Sequence, residues 1–290
     1  MGDKAYTDGT WQSSDELTLH YRDYAGRDAK DDGRPPILCI PGLTRNARDF
    51  EPVADAIAGE WRVIVVELRG RGESDYAKDP ATYVTSTYVA DIVALLDYLK
   101  LEKVVAFGTS LGGIITMLMA RLHPGRFVAA ILNDIGPVVE EEGLAKIRDH
   151  VGYGRSFPTW MHAARAMQET SAHIYPDFGV HDWLTFAKRL MVVSNSGRIS
   201  FDYDMKIAEQ FAPVGEEPAD MWPLLRALGD IPVLGLRGEL SDILSPETFA
   251  KMAQELPQFV GVTVPRVGHV PTLEEPVAQA AIAALLEKIA

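Results

Sequence analysis

The sequence predicts a doubly wound, mostly parallel α/β sheet with an inserted helical cap. Two observations carry that reading. Short Val- and Ile-rich runs alternate with helical patterns through the first half of the chain and again near its end. Between about Pro137 and Leu228 the alternation stops. The expected boundaries are residues 1–136 and 229–290 for the sheet-and-helix core and 137–228 for the cap.

Residues 37–40, 63–66, 104–107 and 128–132 are brief runs that are apolar on both faces, as central strands of a buried parallel sheet must be. Between them, Tyr88, Ile92, Leu95, Leu96 and Leu99 recur at spacings of three and four and line one helical face. The stretch after Ser110 is apolar almost all round, as a buried helix would be, and stops near His123-Pro124. A charged, Gly-containing surface loop is expected at residues 28–34. The pattern resumes with a strand at 231–236 and a helix from Ser245, where the serine can cap and Pro246 fits the first turn. A strand at 260–264 and a helix from Pro276 complete the series. The interrupting segment reads as helices broken at Gly152-Tyr153-Gly154 and Ser194-Asn195-Ser196-Gly197. Its Trp160, Met161, Met167, Trp183, Phe186, Met191 and Trp222 either pack a helical layer of their own or line a pocket beneath it.

The chain has 290 residues, enough to bury a substantial core, and a formal net charge of -13. That charge, with no Lys/Arg cluster, argues against nucleic-acid partners. Cys39 is the only cysteine, so no intrachain disulfide can form, and its apolar neighbours predict a buried, inert thiol. Residues 1–20 lack the basic-then-apolar order of a signal peptide, and no run approaches a membrane span of about 20 apolar residues. A cytoplasmic location without membrane association is the expectation.

The chemistry concentrates where Val104-Val105-Ala106-Phe107 runs into Gly108-Thr109-Ser110-Leu111-Gly112-Gly113. This is G-x-S-x-G between a strand and an apolar helix, a context that holds a serine hydroxyl at the strand's carboxyl end in strained backbone. Side chains at 108 or 112 would collide with the neighbouring strand or helix. The helix N-terminus beneath supplies free N–H groups and positive partial charge for a developing oxyanion.

With these residues the chain resembles the α/β-hydrolase superfamily, over nearly its whole length. Ile40-Pro41-Gly42-Leu43 looks like that family's oxyanion loop, with Pro41-Gly42 where many members carry His-Gly. The resemblance implies that the backbone N–H groups of Leu43 and Leu111 form the oxyanion hole. Glu67-Leu68-Arg69-Gly70-Arg71-Gly72-Glu73-Ser74 resembles the family's D-x-R-G-x-G-x-S turn, with Glu67 in place of Asp, and is read as structural.

A serine hydroxyl needs a base within hydrogen-bond reach. Of seven histidines, His269 in Val267-Gly268-His269-Val270-Pro271 matches the family's catalytic loop and comes last, as the order Ser, acid, His requires. His20 and His123 are read as structural, and His150, His162, His173 and His181 fall in the cap. The acid is expected after the strand ending near Arg237, and Asp242 in Gly238-Glu239-Leu240-Ser241-Asp242 matches the family position. Glu239 stands too close to the strand end, and Asp134, a third option, is read as structural at the entry to the cap. The expected triad is therefore Ser110, Asp242 and His269.

The resemblance implies hydrolysis of a small-molecule carboxylic ester through an acyl-enzyme, with no metal or organic cofactor. Lactone hydrolysis, carbon–carbon bond hydrolysis of aromatic breakdown and cofactor-free haloperoxidase chemistry share the same triad. A non-catalytic small-molecule receptor is the rival from another class. A serine at 110 counts against the epoxide hydrolases and haloalkane dehalogenases of this fold, which use an aspartate there.

Overall fold

The computed structural model describes residues 5–25, 33–210 and 220–290. Residues 28–32 of the expected charged loop and 211–219 of the expected cap lie outside the described residues. The strands in chain order are β1 (Thr7–Gln12), β2 (Thr18–Tyr24), β3 (Ile37–Ile40), β4 (Val63–Glu67), β5 (Val104–Thr109), β6 (Phe127–Asn133), β7 (Ser156–Phe157), β8 (Met191–Val193), β9 (Ile199–Phe201), β10 (Val233–Gly238) and β11 (Phe259–Val264). The helices are α1 (Glu51–Ile57), α2 (Thr85–Tyr98), α3 (Leu111–Leu122), α4 (Glu141–Arg148), α5 (Trp160–Ser171), α6 (Val180–Leu190), α7 (Trp222–Arg226), α8 (Pro246–Glu255) and α9 (Pro276–Ile289).

Eight strands form one sheet in the order β1-β2-β4-β3-β5-β6-β10-β11. Only β2 runs against its neighbours; every pair from β4 to β11 is parallel. The order reverses between β3 and β5, and the carboxyl ends of strands at such a switch point are where open α/β sheets place ligands. The hairpin of β1 and β2 was not legible in the sequence. Most of β1 faces solvent and offers no apolar run.

The continuous apolar runs have a simple cause: both faces of the sheet are covered. Leu38, Ile40, Ile64, Val66, Val104 and Ala106 pack on one side with residues of α2, α3 and α8. Their alternates Ile37, Cys39, Val63, Val65, Val105 and Phe107 pack on the other with residues of α1 and α9. The two-residue period of a strand thus divides each run between two cores. Fully burying one such aliphatic side chain is worth about 1.5–3 kcal/mol. Burial also pushes the Cys39 thiol well above its usual pKa, so it stays protonated. At α8, Ser245 accepts from the Thr248 N–H and Pro246 occupies the first turn.

The segment from 137 to 228 holds α4 to α7, but also a three-stranded antiparallel sheet in the order β7-β9-β8. Strands of two or three residues are too short to show a periodicity, so the sequence reads as helical throughout. The break at Ser194–Gly197 is the turn of the β8–β9 hairpin, with Gly197 at φ 75°. Trp183, Phe186, Tyr175 and Phe178 stack and edge against one another and continue the core on the α1 and α9 side of the sheet. No described helix is long and apolar enough to cross a membrane.

The Glu67–Ser74 turn ties this segment to the sheet. The buried Glu67 carboxylate accepts from the N–H groups of Ala47 and Glu73 and bonds the His20 ring at 2.9 Å. Burial opposes its charge, but the His20 bond and the two N–H groups outweigh it and lower its pKa. Beyond the turn, the Gly72 N–H donates to Asp202 and the Asp204 N–H to Gly70. Arg48 donates to the Arg189 carbonyl and to Asp202, and Asn46 donates to the same carbonyl.

The junction of β5 and α3 is the tightest point. A Cβ on Gly108 would overlap the backbone of Gly112 and Gly113, and one on Gly112 would overlap the Ile40 carbonyl. Backbone cannot yield as a flexible side chain does, so we expect Gly108→Ala to destabilise the fold by about 3 kcal/mol, at the upper end for overpacking. A urea midpoint within error of the unsubstituted protein would contradict this.

Candidate active site

Ser110 lies between β5 and α3 with φ 51° and ψ -117°, a conformation that L-residues rarely adopt. Its amide donates to the Asn133 carbonyl, and its own carbonyl accepts from Gly113, so the strain is held by bonds on both sides. The hydroxyl is 2.9 Å from His269 Nε2. His269 stands in the loop between β11 and α9. On its far side, His269 Nδ1 is 2.7 Å from Asp134 Oδ2.

The structure therefore corrects the expected acid. Asp242 does not reach His269; its carboxylate accepts from Lys146 Nζ of α4 at 2.8 Å, and both residues line the cavity described below. The imidazole partner is Asp134, one residue beyond β6. Asp134 leaves β6 between β5, which leads to Ser110, and β10, whose end holds it: its amide donates to the Leu236 carbonyl and its carboxylate accepts from Gly238 and Ser241. Asp134 has no solvent exposure and a φ of 54°. It accepts from the Gly238 N–H at 2.8 Å and the Ser241 hydroxyl at 2.7 Å as well as facing His269. The Gly238–Asp242 segment thus donates to the Asp134 carboxylate rather than facing His269 itself. Glu239 faces away and accepts from the Arg266 N–H.

The Leu43 and Leu111 N–H groups, expected as oxyanion donors, make no hydrogen bond among the described residues. A Cβ on Gly42 would sit 3.6 Å from that of Ser110, so the loop after β3 runs directly beside the serine. Arg71, buried under this loop, donates to the Leu43 carbonyl at 2.8 Å and fixes its course.

Above Ser110 lies a cavity of about 300 Å³. Its floor is the sheet's carboxyl end, with Leu43, Ser110 and His269; its walls come from the inserted segment, among them Ile147, Met167, Leu190 and Phe201. Of the aromatic and methionine residues singled out in the sequence, Met167 and Phe186 line the cavity, while Trp183 and Met191 are buried elsewhere. Of the four histidines assigned to the cap, His150 and His173 line it. Sequence reasoning missed Tyr175. Its hydroxyl donates to the Val270 carbonyl at 2.8 Å, and the Ile174 carbonyl next to it accepts from Gly268, so the inserted segment brackets His269 on both sides. Burial pushes the Tyr175 phenol up to about 12, keeping it a neutral donor. A lone Tyr in a loop carries no local signal of such a role. Among the described residues no group of three or more His, Cys, Asp or Glu could hold a metal ion.

A sheet of this topology, with a serine at the strand–helix elbow after β5, defines a hydrolase scaffold, and residues 37–283 match the Alpha/beta hydrolase family. The chain belongs to that family. It is 36% identical over 265 residues to a 3-hydroxybutyrate-oligomer hydrolase of Cupriavidus necator, covering 87% of this chain and 88% of that protein. It is 26% identical over 239 residues to a 2-(acetamidomethylene)succinate hydrolase of Mesorhizobium japonicum, covering 81% of each. Among solved structures, an alpha/beta hydrolase from Novosphingobium aromaticivorans superposes with a TM-score of 0.94 at 58% identity, covering 99% of this chain and 100% of that one.

The geometry separates the two candidate acids in solution. An amide in place of the carboxylate that faces His269 loses tautomer control and imidazolium stabilisation, a cost of roughly 10⁴ in kcat in triads of this kind. We expect that loss from Asp134→Asn and about tenfold or less from Asp242→Asn, measured as steady-state ester turnover. The reverse ranking would return the role to Asp242.

Proposed function

We propose that this chain hydrolyses small-molecule carboxylic esters through an acyl-enzyme on Ser110. The observation that carries the reading is the unbroken chain Ser110 Oγ, His269 Nε2, His269 Nδ1, Asp134 Oδ2, opening into a largely apolar cavity beside two unengaged N–H groups. His269 takes the Ser110 proton as Oγ bonds to the acyl carbon, and the oxygen that gains charge is received by the N–H groups of Leu43 and Leu111. Collapse breaks the carbon–oxygen bond to the leaving alcohol, which takes the proton from His269. A water then gives its proton to His269 and its oxygen to the acyl carbon, and the proton returns to Ser110 as the acid leaves. Asp134 holds the imidazole throughout, its Oδ2 facing Nδ1. The residues in hand complete the cycle without calling on a cofactor or metal. The Cupriavidus relative supports an ester as substrate, since an oligomer of 3-hydroxybutyrate is joined through ester bonds.

Two measurements test the proposal. Ser110→Ala should retain its fold, by circular dichroism, and lose more than roughly 10³-fold in kcat on p-nitrophenyl butyrate. Full activity in the folded variant would rule out Ser110 as nucleophile. The cavity volume further predicts that kcat/KM falls from p-nitrophenyl butyrate to the dodecanoate, whose chain outgrows the space above Ser110; a rise along that series would refute the assignment of this cavity to the acyl group.

A further inference from the structure

We infer that Arg45 is the anchor for a free carboxylate on the substrate, so that the preferred esters carry their own carboxylate a few bonds from the ester group; this rests on the ester-hydrolase reading above. The first ground is position. Arg45 lies two residues beyond Leu43 and lines the cavity, and its Cγ would be 3.2 Å from a Cβ on Gly42, the residue whose Cβ would be 3.6 Å from that of Ser110. Its side chain therefore departs from beside the nucleophile.

The second ground is how its donors are used. Nε donates to Asp49 Oδ2 at 2.5 Å and Nη2 to Asp49 Oδ1 at 2.6 Å. A guanidinium has five N–H donors, and this pairing takes one edge of the fork. Nη1 makes no hydrogen bond among the described residues. The guanidinium carbon sits 5.0 Å over the Phe186 ring, a second constraint on its plane. Burial works against the charge, but Asp49 outweighs it and raises the pKa, so the group is a permanent cation. Asp49 thus orients Arg45 without consuming it, and a guanidinium already fixed loses little freedom when a carboxylate arrives.

The third ground is the contrast with Lys146, which also lines the cavity. Its ammonium is shared between Glu142 and Asp242, and its side chain is 46% exposed against 18% for Arg45. A substrate carboxylate there would meet two carboxylates and bulk water. At Arg45 it would meet one carboxylate, already bound along the other edge, in a setting where charge-assisted bonds are stronger.

The test compares 3-acetoxybutyrate with 3-acetoxybutanamide, which offer the same acetate ester beside a charged or a neutral group. The protein should release acetate from the acid with a kcat/KM about tenfold or more above that for the amide, chiefly through KM. Because Arg45→Met alone would leave Asp49 to repel the acid, the variant is Arg45→Met with Asp49→Asn, and there the ratio should fall to about one. A ratio near one in the unsubstituted protein overturns the inference, and so does a double variant that keeps the preference. Turnover of p-nitrophenyl butyrate with no acid preference removes the Arg45 role alone, whereas no turnover of any of these esters removes the ester-hydrolase reading beneath it.

Discussion

The passage from β5 into α3 leaves no room for a side chain on either flank of Ser110, and the rest of the site is arranged around that crowding. Gly108 lies against the backbone of Gly112, and Gly112 against the carbonyl of Ile40, the last residue of β3. The close approach brings three pieces of backbone together: the end of β5, the start of α3 and the loop leaving β3. It brings the loop of Leu43 up to Ser110, and neither the Leu43 nor the Leu111 N–H makes a hydrogen bond among the described residues. A looser turn would separate those groups and relax Ser110 from its φ of 51° into an ordinary conformation that points elsewhere.

Features carried by contiguous residues were legible in the sequence. The central strands read as apolar runs because both faces are buried, and the elbow read as Gly-x-Ser-x-Gly because sterics leave little choice at residues 108 and 112. His269 could be found by its order in the chain. The acid could not, because two carboxylates each follow a strand by a short interval and no pattern says which strand end lies under the imidazole. The carboxylate that meets His269 Nδ1 is that of Asp134, held by bonds to Leu236, Gly238 and Ser241 that exist only in the folded sheet. One local sign was present: Asn133-Asp134 sits at the very end of an apolar strand, a place where a carboxylate is either buried with partners or absent. The reading of Asp134 as structural at the entry to the cap rested on the family match at Asp242, yet in the structure the Gly238–Asp242 segment turns its Gly238 N–H and Ser241 hydroxyl toward Asp134.

The inserted segment was legible as an interruption but not as an architecture. Its small sheet has strands of two and three residues, and its attachment depends on single side chains spread across the sequence. Arg48 and Asn46 converge on the carbonyl of Arg189, and Tyr175 reaches the loop of His269. The Glu67–Ser74 turn is where these attachments meet the site. Through Ala47 and Leu43 it fixes the loop beside Ser110, and through Gly70 and Gly72 it fixes the walls of the cavity. Glu67 in place of the family's Asp keeps the carboxylate and adds length, and both oxygens are occupied by donors.

The placement of Asp134 at the end of β6 divides labour between neighbouring loops. Serine, carboxylate and imidazole all follow strands of the parallel sheet: Ser110 after β5, Asp134 after β6 and His269 after β11. The loop after β10 gives the carboxylate a backbone amide and one hydroxyl, so Asp242 is left to pair with Lys146 in the cavity wall. Residues of that wall can be exchanged, and the charge and width of the cavity retuned, without disturbing the atoms that move protons. A scaffold organised in this way can acquire new substrates by altering its walls while its chemistry stays where it is.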